Sequence, residues 1–257
     1  MDSELVRSGD ANRVSVCMAT YNGCQFITQQ IASILSELDV FDEVVIVDDC
    51  STDNTLELIN SFADARVKCF KNSENLGHVK SFEKAISLAS GDYIFLSDQD
   101  DVWIPGRLSI MLKELVSRDK SVVASDFFIF GEDLKHYYKN SNLLPMDASE
   151  IKIASQLFMG RIPYFGCAMG FRRDLLDTLL PFPAYVEAHD LWLAWNGLLN
   201  KGIAHLNSET LYHRIHSNNL TPHKRRHIGK VIMTRCYFLK MISVIYFRKL
   251  KIGLSNG

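Results

Sequence analysis

Three carboxylates stand close together in the middle of this 257-residue chain. Asp98, Asp100 and Asp101 lie within four residues, just after the apolar run YIFL that ends at Leu96. Carboxylates this close repel each other unless a cation or hydrogen bonds offset their charge. Carboxylate oxygens suit Mg²⁺ or Mn²⁺, which proteins usually share with a bound diphosphate. The pattern predicts a divalent-metal site, and the alternative is an acidic turn that caps the helix expected from Pro105.

A second acidic pair, Asp48 and Asp49, ends the apolar run EVVIV. Carboxylates at a strand end can accept hydrogen bonds from ribose hydroxyls or from an N–H group of a base. The sequence therefore predicts that this pair contacts a nucleotide. Asp53 is interpreted instead as a cap for the following helix, because Asp is favoured at helix N-termini.

Strands and helices that position these groups alternate through the first 125 residues. Apolar, β-branched runs predict strands, and apolar residues at helical spacing predict helices between them. The strands are expected at 14–19, 43–47, 67–70 and 93–96, and the helices at 27–38, 55–62, 79–89 and 105–116. This alternation predicts an α/β fold, Rossmann-like, with a doubly wound and mostly parallel sheet and helices on both faces. Ligands bind outside the carboxyl ends of such strands, where the acidic groups stand.

The second half is expected to complete the same sheet. We predict a strand at 121–130, a polar, Tyr-rich loop at 131–146 and a helix at His189–Leu199. The predicted domain covers residues 1–220, and a basic, amphipathic helical tail covers residues 221–257.

Charge divides the chain unevenly. From Thr210 to Gly257 there are ten Lys and Arg residues and no Asp or Glu, whereas the first 209 residues have 18 basic and 30 acidic groups. A basic amphipathic helix can lie on an anionic membrane; the alternative is a helix whose apolar face packs on the domain. Nucleic acid is not an expected partner, because the remaining surface is net acidic and repels phosphate.

The absence of two motifs argues against a dinucleotide-binding protein and against a phosphate-loop nucleotidase. No GxGxxG follows the first strand and no GxxxxGK[ST] occurs, so neither glycine-rich phosphate cradle is present. The six cysteines form no CxxC pair, which predicts buried, reduced thiols in a cytoplasmic protein. The polar segment 1–13 predicts no signal peptide, and the apolar run 241–247 is too short to span a bilayer. We expect a cytoplasmic protein that is soluble or peripheral at the inner face of the membrane.

Five segments resemble glycosyltransferase family 2, which has the GT-A fold. They are VSVCMATYNG, EVVIVDDCSTDNT, NLGHVKSFEKAI, SGDYIFLSDQDD and the later His189-Asp190, in the family's order across residues 14–216. The segments DQDDVW, HDLWLAW and YHRIHSNN resemble bacterial rhamnosyltransferases and related polysaccharide enzymes. The resemblance implies an inverting transfer of a sugar from a nucleotide-diphosphate sugar to a glycan or lipid-linked acceptor. It also implies a place in bacterial surface polysaccharide or lipopolysaccharide biosynthesis.

The resemblance also implies roles for individual residues. The residues expected near the nucleotide are Thr20, Tyr21, Asn22, Asp48, Asp49, Lys80 and Asp98. Asp98 and Asp100 match the DXD motif, and Asp98, Asp100 and His216 are expected to hold Mn²⁺ or Mg²⁺, with Asp100 as the direct ligand. Asp190 matches the catalytic base; alternatively, Asp190 caps its helix and His216 is an ordinary surface histidine.

Two other functions fit parts of the pattern. A nucleotidyltransferase also has a doubly wound sheet and an acidic metal site, but it usually needs a glycine-rich basic loop that Thr20-Tyr21-Asn22-Gly23 does not supply. A non-catalytic relative that binds nucleotide sugars is disfavoured by the intact set of Asp98, Asp100 and Asp190.

Overall fold

A computed structural model describes residues 12–131, 137–140, 143–216 and 228–255. The start of the predicted tail, residues 221–227, lies outside the described residues, as do residues 1–11.

The first half of the chain is a parallel α/β unit, as predicted. Its strands are β1 (Val14–Thr20), β2 (Glu43–Asp48), β3 (Val67–Lys71) and β4 (Tyr93–Ser97). Its helices are α1 (Ile27–Leu35), α2 (Thr55–Asn60), α3 (His78–Leu88) and α4 (Arg107–Ser117). Strand β1 pairs in parallel with β2 and β4, and β2 pairs in parallel with β3. Helix α4 begins after Pro105 because Gly106 has a left-handed φ of 86°, which interrupts helical geometry.

The second half extends the same sheet with mixed strand directions. Its strands are β5 (Val102–Trp103), β6 (Val122–Phe130), β7 (Tyr137–Asn140), β8 (Met169–Arg172) and β9 (Ile203–Arg214). Its helices are α5 (Glu150–Phe158), α6 (Leu176–Leu179), α7 (His189–Leu199) and α8 (Ile228–Ser255). The strand order is β3-β2-β1-β4-β8-β6-β9-β5, and β7 pairs with β6. The loop predicted over 131–146 is therefore wrong at β7, which forms an antiparallel ladder with β6.

Helices cover both faces of the sheet, as predicted. Side chains alternate along a strand, so Val16 and Met18 enter one apolar core while Cys17 enters the other. Helices α1, α2 and α4 cover the first core, and α3, α5, α6, α7 and α8 cover the second.

Helix α8 packs one face on this second core. Phe238, Met241 and Ile245 are buried there, and the Arg248 guanidinium donates hydrogen bonds to the carbonyls of Thr178 and Pro181 at 2.7 and 2.6 Å. The boundary proposed at residue 220 stays a prediction. Among the described residues, no helix combines the length and hydropathy that a bilayer crossing requires.

The cysteines agree only partly with the sequence prediction. All six are free, and Cys17 and Cys167 are buried. Cys24 and Cys236 are exposed, so the expectation of burial is wrong for these two.

Candidate active site

The acidic segment after β4 is tied to the end of β1 by a glutamine. The Gln99 side-chain oxygen accepts hydrogen bonds from the Thr20 hydroxyl at 2.8 Å and from the Tyr21 N–H at 3.0 Å. A Cβ atom on Gly23 would lie 2.3 Å from that oxygen, so a larger residue here would displace the Gln99 side chain. Gln99 was not among the predicted site residues. Its position inside the DXD motif, between Asp98 and Asp100, could have identified it from the sequence.

Asp100 and His216 lie together although 116 residues separate them. His216 Nε2 is 2.7 Å from Asp100 Oδ2, and the imidazole stacks on Phe26 at a centroid distance of 5.0 Å. The side chains are only 12% and 9% exposed, so His216 is not an ordinary surface histidine. The structure thus brings together two of the three expected ligands, and their role with a metal stays a prediction.

Asp98 belongs to a second group with Asp101, Cys167 and His213, whose ligand atoms lie within 4.8 Å of one another. Burial, followed by the charges of Asp101 and Asp100, raises the pKa of Asp98 to about 8. Burial alone would lower the pKa of His213, but the charge of Asp101 and a 2.9 Å hydrogen bond to it raise that pKa to about 9. Asp101 belonged to the predicted acidic cluster but was not named as a ligand, and Cys167 and His213 were not predicted; His213 stands in the same segment, YHRIH, as His216.

The donor atoms of these two groups fit a divalent cation. Asp101 Oδ2 is buried and has no hydrogen-bond partner among the described residues. Burial also raises the pKa of Asp100, so a cation would relieve the crowding of several carboxylates. Carboxylate oxygens suit Mn²⁺ or Mg²⁺, whereas a thiolate suits softer metals. Burial, then the charge of Asp101, holds the pKa of Cys167 well above its ordinary value, so this thiol stays protonated.

The two carboxylates at the end of β2 have different surroundings. Both oxygens of Asp49 accept hydrogen bonds from the loop before α3, at 2.9 Å from Asn72 Nδ2 and at 2.8 Å from the N–H groups of Leu76 and Gly77. Burial would raise the pKa of Asp49, but these hydrogen bonds lower it. Asp48 accepts one hydrogen bond, from the Ser51 N–H at 3.0 Å, and its buried Oδ1 has no partner among the described residues. Asp49 therefore holds a loop, and Asp48 keeps an unused acceptor.

Asn22 connects the ends of β1 and β2. Its φ is 48°, a left-handed value that Asn tolerates better than most residues. Its side-chain oxygen accepts from the Thr52 N–H at 2.9 Å, and its own N–H donates to the Ser51 hydroxyl at 2.9 Å. The Asn22 side chain therefore shapes the predicted nucleotide cradle, whereas the neighbouring Tyr21 is 47% exposed.

The lysine near the nucleotide segment is paired at the surface. Lys80 Nζ lies 2.6 Å from Glu83 Oε2 on the exposed side of α3. One turn later, Lys84 Nζ donates at 2.8 Å to Asn72, which itself contacts Asp49. Lys84 was not among the predicted site residues, and the role of Lys80 stays a prediction.

Asp190 lies in the first turn of α7, whose N-cap is Ala188. Asp190 is not the N-cap residue itself, but its Oδ1 accepts a hydrogen bond from the first-turn N–H of Leu191 at 2.7 Å, so the alternative that it caps the helix agrees with this contact. The preceding His189 stacks on Phe82 at a centroid distance of 4.2 Å, and a Cβ atom on Gly166 would lie 2.4 Å from His189 Nε2. Because Gly166 directly precedes Cys167, the first turn of α7 lies against the acidic group described above.

The close fit between Gly166 and His189 predicts a coupled pair. We expect Gly166→Ala to lower the free energy of unfolding by about 1–3 kcal/mol, since extra atoms in a packed interior force side chains apart. His189→Ala in the same chain removes the obstructing ring, so the double variant should be less destabilised than the sum of the two single changes. Urea unfolding of the four proteins measures this; additive losses would show that the two residues do not contact.

Comparison of the sequence with protein families gives one match over the first two thirds of the chain. The family is described as Glycosyl transferase family 2, and it matches residues 15–180. A curated relative from Escherichia coli is 28% identical over 223 residues, which are 82% of this chain and 80% of the relative. Its name is UDP-Glc:alpha-D-GlcNAc-diphosphoundecaprenol beta-1,3-glucosyltransferase WfaP.

Solved structures show the same fold at low sequence identity. S. aureus TarS 1–349 in complex with UDP-GlcNAc has a TM-score of 0.68 and 19% identity, covering 93% of this chain and 73% of that chain. The chain spans 60% of the same fragment in another TarS structure. The mannosyltransferase PcManGT from Pyrobaculum calidifontis, in complex with GDP-Man and Mn2+, has a TM-score of 0.60 and 17% identity, covering 95% of this chain and 75% of that chain. These likenesses support the GT-A fold.

Proposed function

This chain belongs to glycosyl transferase family 2, and on that premise we propose that it is a metal-dependent, inverting glycosyltransferase. Its donor is a nucleotide-diphosphate sugar, and its acceptor is a glycan or lipid-linked oligosaccharide of bacterial surface polysaccharide biosynthesis.

One observation carries this proposal: the Asp100–His216 pair and the group around Asp98 meet at the carboxyl end of β4. Two contacts, of His189 with Gly166 and with Phe82, hold the first turn of α7 beside them. We infer that Asp190, which follows His189 on α7, supplies a separate carboxylate near these candidate metal ligands, on an element of its own. Transfer of a sugar from a nucleoside diphosphate to an acceptor hydroxyl needs this division, because one group stabilises the leaving diphosphate and another takes the proton of the hydroxyl.

The protein's own side chains account for donor binding. We assign the nucleotide to the ends of β1 and β2, where Tyr21 is exposed and Asp48 has an unused acceptor. Asp98, Asp100 and His216 would hold Mn²⁺ or Mg²⁺, which supplies positive charge to the leaving diphosphate when it is bound.

Asp190 has the role of base. Its carboxylate takes the proton from the acceptor hydroxyl, whose oxygen forms a bond to the anomeric carbon. The bond from that carbon to the diphosphate breaks on the opposite face, and the electron pair leaves with the nucleoside diphosphate. Attack opposite to the leaving group inverts the configuration at the anomeric carbon.

We propose a UDP-hexose as the first donor to try, and rhamnose from a dTDP-sugar as the alternative. The support is that WfaP is named as a UDP-Glc transferase and that TarS was solved with UDP-GlcNAc. The name of WfaP also contains a diphosphoundecaprenol acceptor, which supports a lipid-linked acceptor and a site of action at the inner face of the cytoplasmic membrane.

Release of nucleoside diphosphate by the purified chain tests the proposal. UDP-, dTDP- and GDP-sugars are each supplied with Mn²⁺, Mg²⁺ or EDTA, and donor binding is measured in parallel. We expect release from one class of donor, dependent on metal and abolished by EDTA. No release together with no metal-dependent binding would instead point to a non-catalytic relative or to another nucleotide chemistry, such as nucleotidyl transfer.

A further inference from the structure

Helix α8 has an apolar face that the domain does not cover. One face, with Phe238, Met241 and Ile245, is buried in the core. Roughly opposite stand the exposed side chains that we call the outer face: Leu239, Phe247, Leu250 and Leu254. Their spacings of eight, three and four residues keep them on one side of a helix with about 3.6 residues per turn. α8 is therefore apolar on two sides, whereas a surface helix normally has one apolar stripe.

The outer face is unusual in its exposure. The exposed fractions of Leu239, Phe247 and Leu254 are 55%, 68% and 84%. Beside Phe247, a groove of about 550 Å³ runs between α8 and the end of α7, lined mainly by Leu199, Ile242, Tyr246, Phe247 and Leu250. Several large apolar side chains exposed close together, as Phe247, Leu250 and Leu254 are, are typical of an interaction site.

Charge indicates what covers the outer face. α8 contains six Lys and Arg residues and no Asp or Glu. Arg248 and Lys249 are turned to the domain, where Lys249 Nζ donates to the Leu199 carbonyl at 2.5 Å. Lys240 and Lys251 are exposed, and each follows a leucine of the outer face, about 100° around the helix. Apolar side chains with flanking cations fit a surface whose interior is apolar and whose boundary carries anionic groups.

We propose that the outer face of α8 lies in the interface of an anionic phospholipid membrane, with Lys240 and Lys251 at the level of the phosphates. An amphipathic helix binds in this way by inserting its apolar side chains among the lipids while its cations contact anionic head groups. The helix lies along the membrane rather than across it, consistent with the absence of a spanning helix among the described residues.

A second copy of the chain fits this surface less well. In a two-fold dimer the same patch meets itself, so α8 would face α8. Because α8 has no acidic residue, Lys240 and Lys251 would then find no opposite charge on the facing α8. An anionic lipid surface offers the complementary charge that this contact lacks.

Vesicle flotation of the full chain tests the inference. Vesicles of phosphatidylcholine alone are compared with vesicles that also contain phosphatidylglycerol, at low and at high salt. We expect binding only to the anionic vesicles and weaker binding at high salt. A triple serine variant, which combines Phe247→Ser, Leu250→Ser and Leu254→Ser, should bind vesicles at least about tenfold more weakly. Lys240→Gln with Lys251→Gln should lower it by roughly fivefold for each lysine removed.

Ile151→Ser is the matched control, because Ile151 is 83% exposed on α5. The sequence around Ile151 also has far fewer Lys and Arg residues than α8 has. It should bind vesicles as the unchanged chain does, and thermal unfolding checks that every variant is folded. Equal binding by the triple serine variant, or no binding to anionic vesicles by the unchanged chain, would overturn the inference. So would a dimer in sedimentation that the triple variant converts to a monomer.

This inference deepens the proposed function, since it places the enzyme where a lipid-linked acceptor resides. Flotation requires no turnover, and release of nucleoside diphosphate without vesicles requires no membrane. Release without flotation therefore contradicts the membrane inference alone, and flotation without metal-dependent release or donor binding contradicts the proposed function alone.

Discussion

Replacing Asp190 by Asn is expected to lower kcat by about 10²–10⁴, the usual contribution of a positioned general base, and to leave donor affinity unchanged. The two side chains have nearly the same size, so packing in the first turn of α7 is kept while the ability to take a proton is lost. The Leu191 N–H donates to Asp190 Oδ1 at 2.7 Å, and an amide oxygen at this position still accepts that hydrogen bond. Single-turnover rates and donor Kd, measured on the same preparation, separate the chemical step from binding.

Asp147→Asn is the matched control, because Asp147 is an exposed carboxylate in the turn before α5. It should transfer sugar at the unchanged rate. If Asp190→Asn loses donor affinity along with turnover, Asp190 contributes to the donor site and the assignment as base is wrong. If it keeps full turnover, another group accepts the proton.

The first half of the fold could be predicted because each of its strands and helices can be recognised from its own short stretch of sequence. Apolar, β-branched runs with helices between them identify β1 to β4 and α1 to α4 within a few residues. Strand β9 lacks such a signal: its sequence IAHLNSETLYHR places the exposed Asn207 in mid-strand. It is a strand because it pairs with β6, across register shifts between Ser125 and Phe128, and only the folded sheet supplies that partner.

The candidate site likewise contains some residues that the sequence could predict and others that only the folded structure brings together. The resemblance predicted that Asp100 and His216 belong to one site, and they lie 2.7 Å apart. Nothing local in the sequence separates Asp48 from Asp49, because their difference comes from the loop that Asp49 holds. Cys167 likewise has no motif around it. It reaches Asp98 only because β8, which follows it closely, pairs with β4.

Mn²⁺ binding is the second prediction with a large expected effect. We expect Asp100→Asn, and separately His216→Gln, to weaken Mn²⁺ binding in the presence of donor by at least about 10–100-fold, a loss typical of a disturbed metal site. The amide that replaces either side chain keeps a similar volume, so the change falls on the donor atom. Electron paramagnetic resonance of free Mn²⁺ measures the affinity without any need for turnover, and Asp147→Asn serves again as the control.

Because the two groups of candidate ligands are adjacent and share no residue, this experiment distinguishes two positions of the ion. If the ion lies between Asp100 and His216, His213→Gln and Cys167→Ser affect Mn²⁺ affinity far less than Asp100→Asn does. The reverse order would place the ion among Asp98, Asp101, Cys167 and His213.

A pH series adds an independent check, because burial and two neighbouring carboxylates raise the pKa of Asp98 to about 8. Below that pH an ion bound by Asp98 must displace its proton, so Mn²⁺ affinity should rise as the pH increases from 6.5 to about 8.5. Affinity independent of pH over this range would mean that Asp98 is not a ligand, which leaves it to contact the nucleotide.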